Sequence, residues 1–371
     1  MRVVLVITKG ELGGAQTHVL ELCRALRHRC EFLVLIGGYP SSPLGDTLRA
    51  MNIRVENLAS LSNTLSPLSL WSSIRAVAAH ARSWGADLIH VHSAVAAAVG
   101  RVGGWMAATP VVYTVHGFAF KPQVRPVRRF CAFAGERLLA PLTRHLICVS
   151  GAERELAGRL GLSEDRISVI SNGVSDSAMR AEPAASPPAI LMVARMAPPK
   201  RQDLLLRALE ILARRGVQLP PTELAGDGPM LAKWREQAAA DGLSCVSFCG
   251  DVTNIDTRLA QGQLFVLISD HEGQPISVIE AMRAGLPILA SDLPGIRAQV
   301  TPGREGLLTR NTPAAIADAL EQVLGDPLLR VRLGAGARQR FEREFSAATM
   351  AEQVARVYES CARKAAVFAR G

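Results

Sequence analysis

Two glutamates, Glu272 and Glu280, stand on either side of the start of a predicted helix. Glu272 follows the predicted strand 264–268, and Pro275 suits the first turn of the helix that comes next. Gly285 suits the end of that helix, so Glu280 lies on it more than one turn in. Backbone N–H groups at a helix start lack acceptors within the helix and can bind an anion. Here they belong to Gln274, Ile276 and Ser277.

A carboxylate on each side of an anion site favours a ligand that carries both phosphates and hydroxyl groups. A nucleotide-sugar fits, with its phosphates on the N–H groups, ribose hydroxyls on one glutamate and sugar hydroxyls on the other. Gly273 belongs to the same turn, directly after Glu272. The alternative is a pair of helix-surface glutamates, which the apolar residues around Glu280 disfavour.

Two basic residues, Arg195 and Lys200, flank the prolines of a turn that follows the predicted strand 190–193. Cations fixed on a stiff turn suit a diphosphate, because both charges can converge on one anion. Two solvated surface charges are an equally open alternative for this segment alone. Gly226 opens another tight turn, Gly226-Asp227-Gly228-Pro229, which is expected at the same sheet edge.

The first half of the chain offers weaker candidates. Gly13 and Gly14 follow a strand and open a helix, where backbone can approach a phosphate, although a purely structural turn is as good an interpretation. His116 directly follows the predicted strand 111–115, at the sheet edge where ligands bind, and could hydrogen-bond a sugar hydroxyl. The alternative for His116 is a packed side chain, and this is the interpretation we adopt for the other strand histidines, His90 and His92.

The elements that position these residues alternate between short β-branched strands and amphipathic helices, which predicts parallel sheets covered by helices on both faces. Predicted helices include 15–26, 95–107 and 202–214. A segment rich in proline at 183–188 indicates a linker, after which the pattern restarts. We therefore expect a first domain at 1–182, a second domain at 189–345 and a C-terminal helix at 346–371. The seven cysteines are expected to be free thiols.

Five ordered motifs, together with the Glu272-to-Glu280 spacing, cover nearly the whole chain. This pattern resembles the retaining glycosyltransferases of the GT-B fold, known as glycosyl transferases group 1 or family 4. The matching motifs are Gly13-Gly14, Thr114-Val115-His116-Gly117, Asn172-Gly173-Val174, the pair Arg195 and Lys200, and Ala225-Gly226-Asp227-Gly228-Pro229.

The resemblance implies an α/β protein with two Rossmann-like domains facing across a cleft, and a C-terminal helix that ends near Tyr358 and crosses back to the first domain. It implies transfer of a sugar with retention of configuration from a nucleotide-diphosphate-sugar. Glu280 would bind the ribose and Glu272 the transferred sugar, while Arg195 and Lys200 would stabilise the leaving diphosphate. Catalytic roles fall to His116, Glu272, Arg195 and Lys200. Donor-binding roles fall to Gly13, Gly14, Asn172, Gly226, Gly273, Gln274, Pro275, Ile276, Ser277 and Glu280.

The sequence departs from this family at two places. Arg201 stands where the family often has glycine, which adds a charge beside the phosphate pair. Gln274-Pro275 replaces a common aromatic. The motifs are nevertheless similar to those of family members that build exopolysaccharide, capsule or lipopolysaccharide on lipid-linked acceptors. A nucleotide-sugar epimerase of similar architecture and a binding protein with a decayed site are the alternatives.

No Asp-x-Asp motif occurs, so we expect no metal, and we expect no cofactor besides the donor substrate. The net charge of +9 is concentrated in part at 118–144, where basic residues alternate with phenylalanines. No nucleic-acid motif accompanies it. We expect this segment to bind the inner face of the cytoplasmic membrane, which makes the protein cytoplasmic and peripherally bound. In the alternative, its phenylalanines are core and its arginines form a solvated helix face.

Overall fold

The computed structural model describes the chain except residues 12, 39, 63–65, 122–123 and 369–371, and the side chains of 363–368. The chain divides into two compact units. The first unit comprises Met1–Val174 and Ala347–Gly371, and the second comprises Ser175–Ser346. Each unit is built on its own parallel sheet.

The sheet of the first unit has seven strands in the order β3-β2-β1-β4-β5-β6-β7, and all neighbouring strands are parallel. The strands are β1 (Arg2–Ile7), β2 (Glu31–Gly37), β3 (Arg54–Leu58), β4 (Leu88–His92), β5 (Val111–Val115), β6 (His145–Cys148) and β7 (Ile167–Val169). The chain order reverses between β1 and β4, so the carboxyl ends of β1, β4 and β5 meet where ligands bind in such sheets.

The sheet of the second unit has six strands in the order β10-β9-β8-β11-β12-β13, again all parallel. The strands are β8 (Ile190–Val193), β9 (Thr222–Ala225), β10 (Val246–Gly250), β11 (Leu264–Leu267), β12 (Ile288–Ser291) and β13 (Gly306–Thr309). Here β8 and β11 lie side by side at the reversal, and they carry the two turns that the sequence marked as phosphate-binding.

Fourteen α-helices are described, and they cover the sheets. In the first unit they are α1 (Gly14–Leu26), α2 (Pro43–Ala50), α3 (Pro67–Trp84), α4 (Ala94–Ala107), α5 (Pro126–Leu139) and α6 (Gly151–Ala157). In the second they are α7 (Gln202–Arg214), α8 (Leu231–Ala240), α9 (Ile255–Gln261), α10 (Ile276–Ala284), α11 (Pro294–Arg297), α12 (Pro313–Gly325) and α13 (Pro327–Arg340). A π-helical turn, Phe341–Phe345, precedes α14 (Ala347–Phe368).

Burial on both faces explains the near-continuous apolar strands. All five residues from Val3 to Ile7 are at most 1% exposed. In the first unit, α1, α2 and α14 contribute to the core on one face of the sheet, while α3 and α4 contribute to the core on the other. Parallel strands with helices on both sides need such runs, because neither face meets water.

The C-terminal helix α14 packs within the first unit, as the resemblance predicted, but it continues to Phe368 rather than ending near Tyr358. Tyr358 of α14 is fully buried, and its hydroxyl lies 2.6 Å from Nδ1 of His90 on β4. Among the described residues, no helix combines the length and the apolar character needed to cross a bilayer.

The division between the units lies at Val174 and Ser175 rather than at the expected residue 182. The proline-rich segment belongs to the second unit because its backbone is bound there. The N–H of Ala181 donates to the carbonyl of Ala284, and Arg330 Nε donates to the carbonyl of Pro183. Proline content here marks a surface loop of the second unit, which sequence composition does not distinguish from a linker.

Candidate active site

The centre of the candidate site in the second unit is an ion pair between Lys200 Nζ and Glu272 Oε1. The two side chains are only 17% and 11% exposed, respectively, so the pair is largely shielded from water. Backbone contacts fix the two turns that carry them: Arg201 N donates to the carbonyl of Ile268, and Asp270 N to that of Pro199. The structure thus joins two residues that lie 72 positions apart in the sequence.

Arg195 and Arg201 differ although both lie in the same turn. The Arg195 side chain is exposed, and the backbone carbonyl of Arg195 accepts from Gln202 Nε2 at 3.0 Å. Arg201 is instead paired with Asp203 at 2.8 Å and with Asp270 at 3.0 Å, which raises the pKa of its guanidinium. The charge that Arg201 adds to the family pattern is therefore neutralised within the turn.

The glycine turn after β9 packs against the backbone of the Arg195 turn. Gly226 and Gly228 have φ of +132° and +153°, and a Cβ on Gly226 would lie 2.2 Å from the carbonyl oxygen of Ala194. Met196 N also donates to the carbonyl of Asp227 at 2.8 Å. Gly226 is thus needed for close backbone approach, whereas its assignment to donor binding stays a prediction.

Helix α10 begins at Ile276, with Pro275 at its N-cap, and ends at Gly285, whose φ is +82°. Ile276 and Ser277 lie in its first turn, where backbone N–H groups have no acceptor within the helix. Glu280 follows one turn later and is half-buried. The expected order of loop carboxylate, helix start and helix carboxylate is therefore present, with Gln274 buried directly before Pro275.

Four residues that sequence reasoning missed hold the loop before α10. Ser269 N donates to Ser291 Oγ at 2.9 Å, and Asn311 Nδ2 donates to the carbonyl of Ser269 at 2.8 Å. The fully buried Gln299 donates to the carbonyl of Pro275 at 3.1 Å. A Cβ on Gly295 would lie 2.2 Å from the carbonyl oxygen of Gly273. Only the Pro294-Gly295 pair was a visible signal of a special turn.

In the first unit, three histidines meet at the carboxyl edge of the sheet. His116 directly follows β5, His92 ends β4, and His18 lies on α1. The His92 Nδ1 and His116 Nε2 atoms are 3.4 Å apart, and the ring centroids of His18 and His116 are 4.9 Å apart. His18 and His92 are fully buried, whereas His116 is partly exposed. His92 is packed as expected, but it also belongs to a cluster.

Burial lowers the pKa of every histidine in this region. It lowers the pKa of His18 to about 4, although the hydrogen bond with Asn172 opposes the shift. Burial, reinforced by neighbouring histidines, holds the pKa values of His90, His92 and His116 well below the usual range. The cluster is therefore neutral at neutral pH, which suits hydrogen bonding to uncharged hydroxyl groups.

The other first-unit candidates lie around this cluster or its helix. Asn172 is buried, and its Oδ1 lies 3.0 Å from His18 Nδ1. Gly14 is the first residue of α1, and Gly13 is its exposed N-cap with extended backbone. Ser93, the residue after His92, has a φ of +134°, which is strained for a side chain of this kind and typical of functional strand ends.

The expected docking segment 118–144 differs from its sequence interpretation. Phe118 and Phe120 are 4% and 3% exposed and belong to the core, and Phe133 packs against them. Lys121 pairs with Glu153 at 2.5 Å. The loop after His116 folds inward because the Glu153 carboxylate also accepts from Phe118 N at 3.0 Å. The exposed apolar residues of the segment are instead on α5.

Comparison with known proteins identifies the class. Residues 12–178 match the family model described as Glycosyltransferase Family 4, and residues 187–326 match the one described as Glycosyl transferases group 1. The chain belongs to the glycosyltransferases that combine these two domains. The matched ranges include the glycine turns at Gly13 and Gly226, the turns after β8 and β11, and the glutamates Glu272 and Glu280.

Two relatives from Escherichia coli illustrate the similarity. The chain is 28% identical over 269 residues to UDP-Gal:alpha-D-GlcNAc-diphosphoundecaprenol alpha-1,3-galactosyltransferase, covering 66% of this chain and 68% of that protein. It is 26% identical over 323 residues to the O-antigen biosynthesis glycosyltransferase WbnH, covering 86% and 89%. Both similarities extend over most of the two chains.

The fold is that of solved GT-B glycosyltransferases. The structure of Anabaena HepE in complex with UDP and glucose superimposes with a TM-score of 0.82 at 21% identity, covering 97% of this chain and 100% of that one. The lipopolysaccharide outer core galactosyltransferase WaaB, in its apo form, gives a TM-score of 0.71 at 19% identity, with the same coverage. The predicted fold class is confirmed.

Proposed function

We propose that this glycosyltransferase moves a sugar from a nucleotide-diphosphate-sugar to a lipid-linked glycan, with retention of configuration and without a metal. The observation that carries the proposal is the shielded Lys200–Glu272 pair at the start of α10, with Glu280 one turn further on. A cation, a carboxylate and free helix N–H groups occur together there. These are the groups that a diphosphate joined to two hydroxylated rings requires.

The donor would add to the existing pair rather than replace it. A lysine ammonium has three N–H donors, and Glu272 accepts only one of them, so Lys200 can also donate to phosphate oxygens. The exposed Arg195 guanidinium supplies a second, bidentate partner for the diphosphate. The N–H groups of Ile276 and Ser277 supply the positive end of the α10 dipole.

These groups act where charge develops during transfer. The bond between the sugar C1 and the diphosphate oxygen breaks, and the acceptor oxygen forms a new bond to C1 on the same face. The acceptor hydroxyl proton passes to the departing diphosphate. Lys200, Arg195 and the α10 start stabilise the negative charge on the leaving group, which is the role that fixed donors fill best in a preorganised site. Neutral His116 would hydrogen-bond a sugar hydroxyl.

The acceptor class rests on the relatives. One E. coli relative is named for a diphosphoundecaprenol-linked acceptor and an alpha-1,3 linkage, and the other for O-antigen biosynthesis. We infer that this chain acts in bacterial surface polysaccharide synthesis on an acceptor of the same kind. Epimerisation gains no support from these matches. Cytoplasmic location stays a prediction.

The direct test is a panel of nucleotide-sugars incubated with the protein, with and without a lipid-diphosphate-linked sugar. We expect release of nucleoside diphosphate and a lengthened glycan only when the acceptor is present. Epimerisation would proceed without acceptor, and a binding protein would release no nucleotide. The anomeric configuration of the product, read by nuclear magnetic resonance against that of the donor, tests retention.

Helix α5 presents a surface suited to an anionic bilayer, which we call the α5 docking face. Its exposed apolar residues Val127, Phe130 and Leu138 follow helical spacing, and the first two are 78% and 71% exposed. Exposed arginines flank them at Arg125, Arg128 and Arg129. Apolar side chains can enter the interface while arginines meet anionic headgroups. A lipid-linked acceptor gives the enzyme a reason to bind there.

Co-sedimentation with anionic and neutral vesicles tests this face. Each basic residue near an anionic surface contributes about 1 kcal/mol, so Arg125→Glu/Arg128→Glu/Arg129→Glu should weaken binding at least ~100-fold. The control Arg27→Glu/Arg207→Glu/Arg310→Glu makes the same change in net charge at exposed residues elsewhere. Equal loss in both variants, or no binding of wild type at low salt, would contradict the assignment.

A further inference from the structure

The three histidines His18, His92 and His116 have a chemistry that sugar transfer does not require of all of them. One ring nitrogen from each lies within 4.8 Å of the others, although the residues come from a helix, a strand end and a loop. The sheet order brings them together, because β1, β4 and β5 are neighbours and α1 follows β1. All three residues of the cluster belong to the first unit.

The spacing within the cluster matches metal coordination. The His92 Nδ1 and His116 Nε2 atoms are 3.4 Å apart. Four nitrogens held at about 2.0–2.1 Å from one zinc ion in a tetrahedron are separated by about 3.3–3.4 Å. Two imidazole nitrogens at that separation, with a third within 4.8 Å, need only small side-chain rotations to share one ion.

His18 is oriented as a metal ligand. Its Nδ1 lies 3.0 Å from Asn172 Oδ1, and because an amide oxygen only accepts, Nδ1 carries the proton. Its Nε2 therefore presents a lone pair. That atom is buried and has no hydrogen-bond partner among the described residues. A histidine that ligates a metal through one ring nitrogen usually donates the N–H of its other ring nitrogen to a carbonyl or carboxylate oxygen.

We propose that His18, His92 and His116 form a binding site for one divalent transition-metal ion of the zinc class. The ligand set is all nitrogen, which suits Zn²⁺, Cu²⁺ or Ni²⁺ and disfavours Mg²⁺ and Ca²⁺, which prefer oxygen. Three protein ligands leave a fourth position, and the partly exposed side of His116 opens it to solvent.

A bound ion would inhibit transfer, a consequence that rests on the proposed role of His116. The ion takes the His116 lone pair that would otherwise meet a sugar hydroxyl, and its own water occupies the adjacent space. Metal therefore competes with the donor, whereas catalysis itself needs no ion. The site would make the enzyme sensitive to free zinc.

Binding is measured first, without reference to activity. Full-length protein is stripped with chelator and titrated with Zn²⁺ by calorimetry and with Co²⁺ by visible absorption. We expect one tight ion per chain and the intense visible bands of four-coordinate Co²⁺. Because the chain has seven cysteines, the Co²⁺ spectrum must also lack sulfur charge-transfer bands in the near ultraviolet. Such bands, or no tight ion at all, would overturn the proposal.

Matched variants locate the site. Asn172→Ala removes the His18 partner and should weaken Zn²⁺ binding about 10–100-fold, and His18→Ala and His116→Ala should weaken it at least as much. The control His28→Ala removes an exposed histidine near the end of α1 and should leave binding unchanged. Circular dichroism identifies any variant that fails to fold. Undiminished binding in folded His18→Ala and His116→Ala would overturn the site.

Inhibition is the second readout and separates the two proposals. Zn²⁺ should raise the apparent KM for donor in wild type, and this effect should fall in Asn172→Ala. If Zn²⁺ binds the histidines without slowing transfer, the metal site stands and the His116 contact with donor sugar is contradicted. If Zn²⁺ binds and no transfer is found with any donor, only the proposed function fails.

Discussion

The candidate residues of the first unit are neutral at neutral pH, whereas those of the second carry fixed charges of both signs. The histidine cluster lies at a sheet edge where burial suppresses protonation. The Lys200–Glu272 pair also lies at a sheet edge, but there a cation and a carboxylate form an ion pair. The strand ends of one sheet thus carry neutral groups, whereas those of the other sheet carry charged groups.

Because of this difference, the two units can recognise different parts of the donor or acceptor. A diphosphate needs fixed cations and helix N–H groups, and the described residues provide them in the second unit at Arg195, Lys200 and the α10 start. A neutral imidazole cluster cannot stabilise a diphosphate by charge, but it can hydrogen-bond hydroxyl groups. Variants that alter one unit should therefore have effects of a different size from those that alter the other.

The largest expected effect comes from removing a cation of the second unit. Lys200→Ala and Arg195→Ala should each lower the transfer rate about 10–100-fold, since a charge-assisted hydrogen bond is worth about 1.5–3 kcal/mol. Arg207→Ala, an exposed arginine on α7, is the control. Steady-state rates with saturating acceptor provide the measurement. Wild-type rates in both variants would show that the phosphates bind elsewhere.

The two glutamates should divide binding from transfer. Glu280→Gln should weaken calorimetric binding of the nucleoside diphosphate that wild type binds, about 10-fold or more, because ribose hydroxyls lose a charged acceptor. Glu272→Gln should leave that binding within about 3-fold and lower the transfer rate instead. It also leaves Lys200 without its ion-pair partner, so thermal unfolding of both variants is measured alongside. Equal losses of affinity would contradict the division.

Much of the second-unit site could be predicted because residues that are typical of turns and helix ends define it locally. The helix predicted at 202–214 matches α7, and the end of α10 at Gly285 follows from glycine's access to positive φ. The Lys200–Glu272 contact was not predictable from spacing, since it depends on β8 and β11 being neighbours. Polar residues that support the loop, such as Gln299, carry no local signal at all.

The first-unit site shows the limit of sequence reasoning more clearly. His18 could not be predicted as a site residue because a lone histidine on a helix gives no sign of function until the sheet order is known. Phe118 and Phe120 were expected to face a membrane, but the carboxylate of Glu153, 35 residues after Phe118, draws their loop into the core. Long-range contacts determine these outcomes, and periodicity does not report them.

A smaller effect is expected from the neutral unit. His116→Ala should lower the transfer rate about 2–10-fold, because a neutral hydrogen bond is worth about 0.5–1.5 kcal/mol. His116→Asn, which keeps a hydrogen-bonding group, should recover part of the loss. The measurement is kcat and KM for donor in metal-free buffer. A loss as large as that of Lys200→Ala would mean that His116 meets developing charge, and the contrast between the units would fail.

The smallest expected effect is that of a chelator. Transfer should stay within about 2-fold of its rate when divalent ions are removed, because Arg195, Lys200 and the α10 start can neutralise the leaving diphosphate. Any residual zinc on the histidine cluster would be removed as well, so a modest rise in rate is consistent with the same view. Chelator already saturated with metal is the control for effects of the chelator itself. Loss of activity that magnesium or manganese restores would show that the charged unit needs an ion, and that its fixed cations are insufficient.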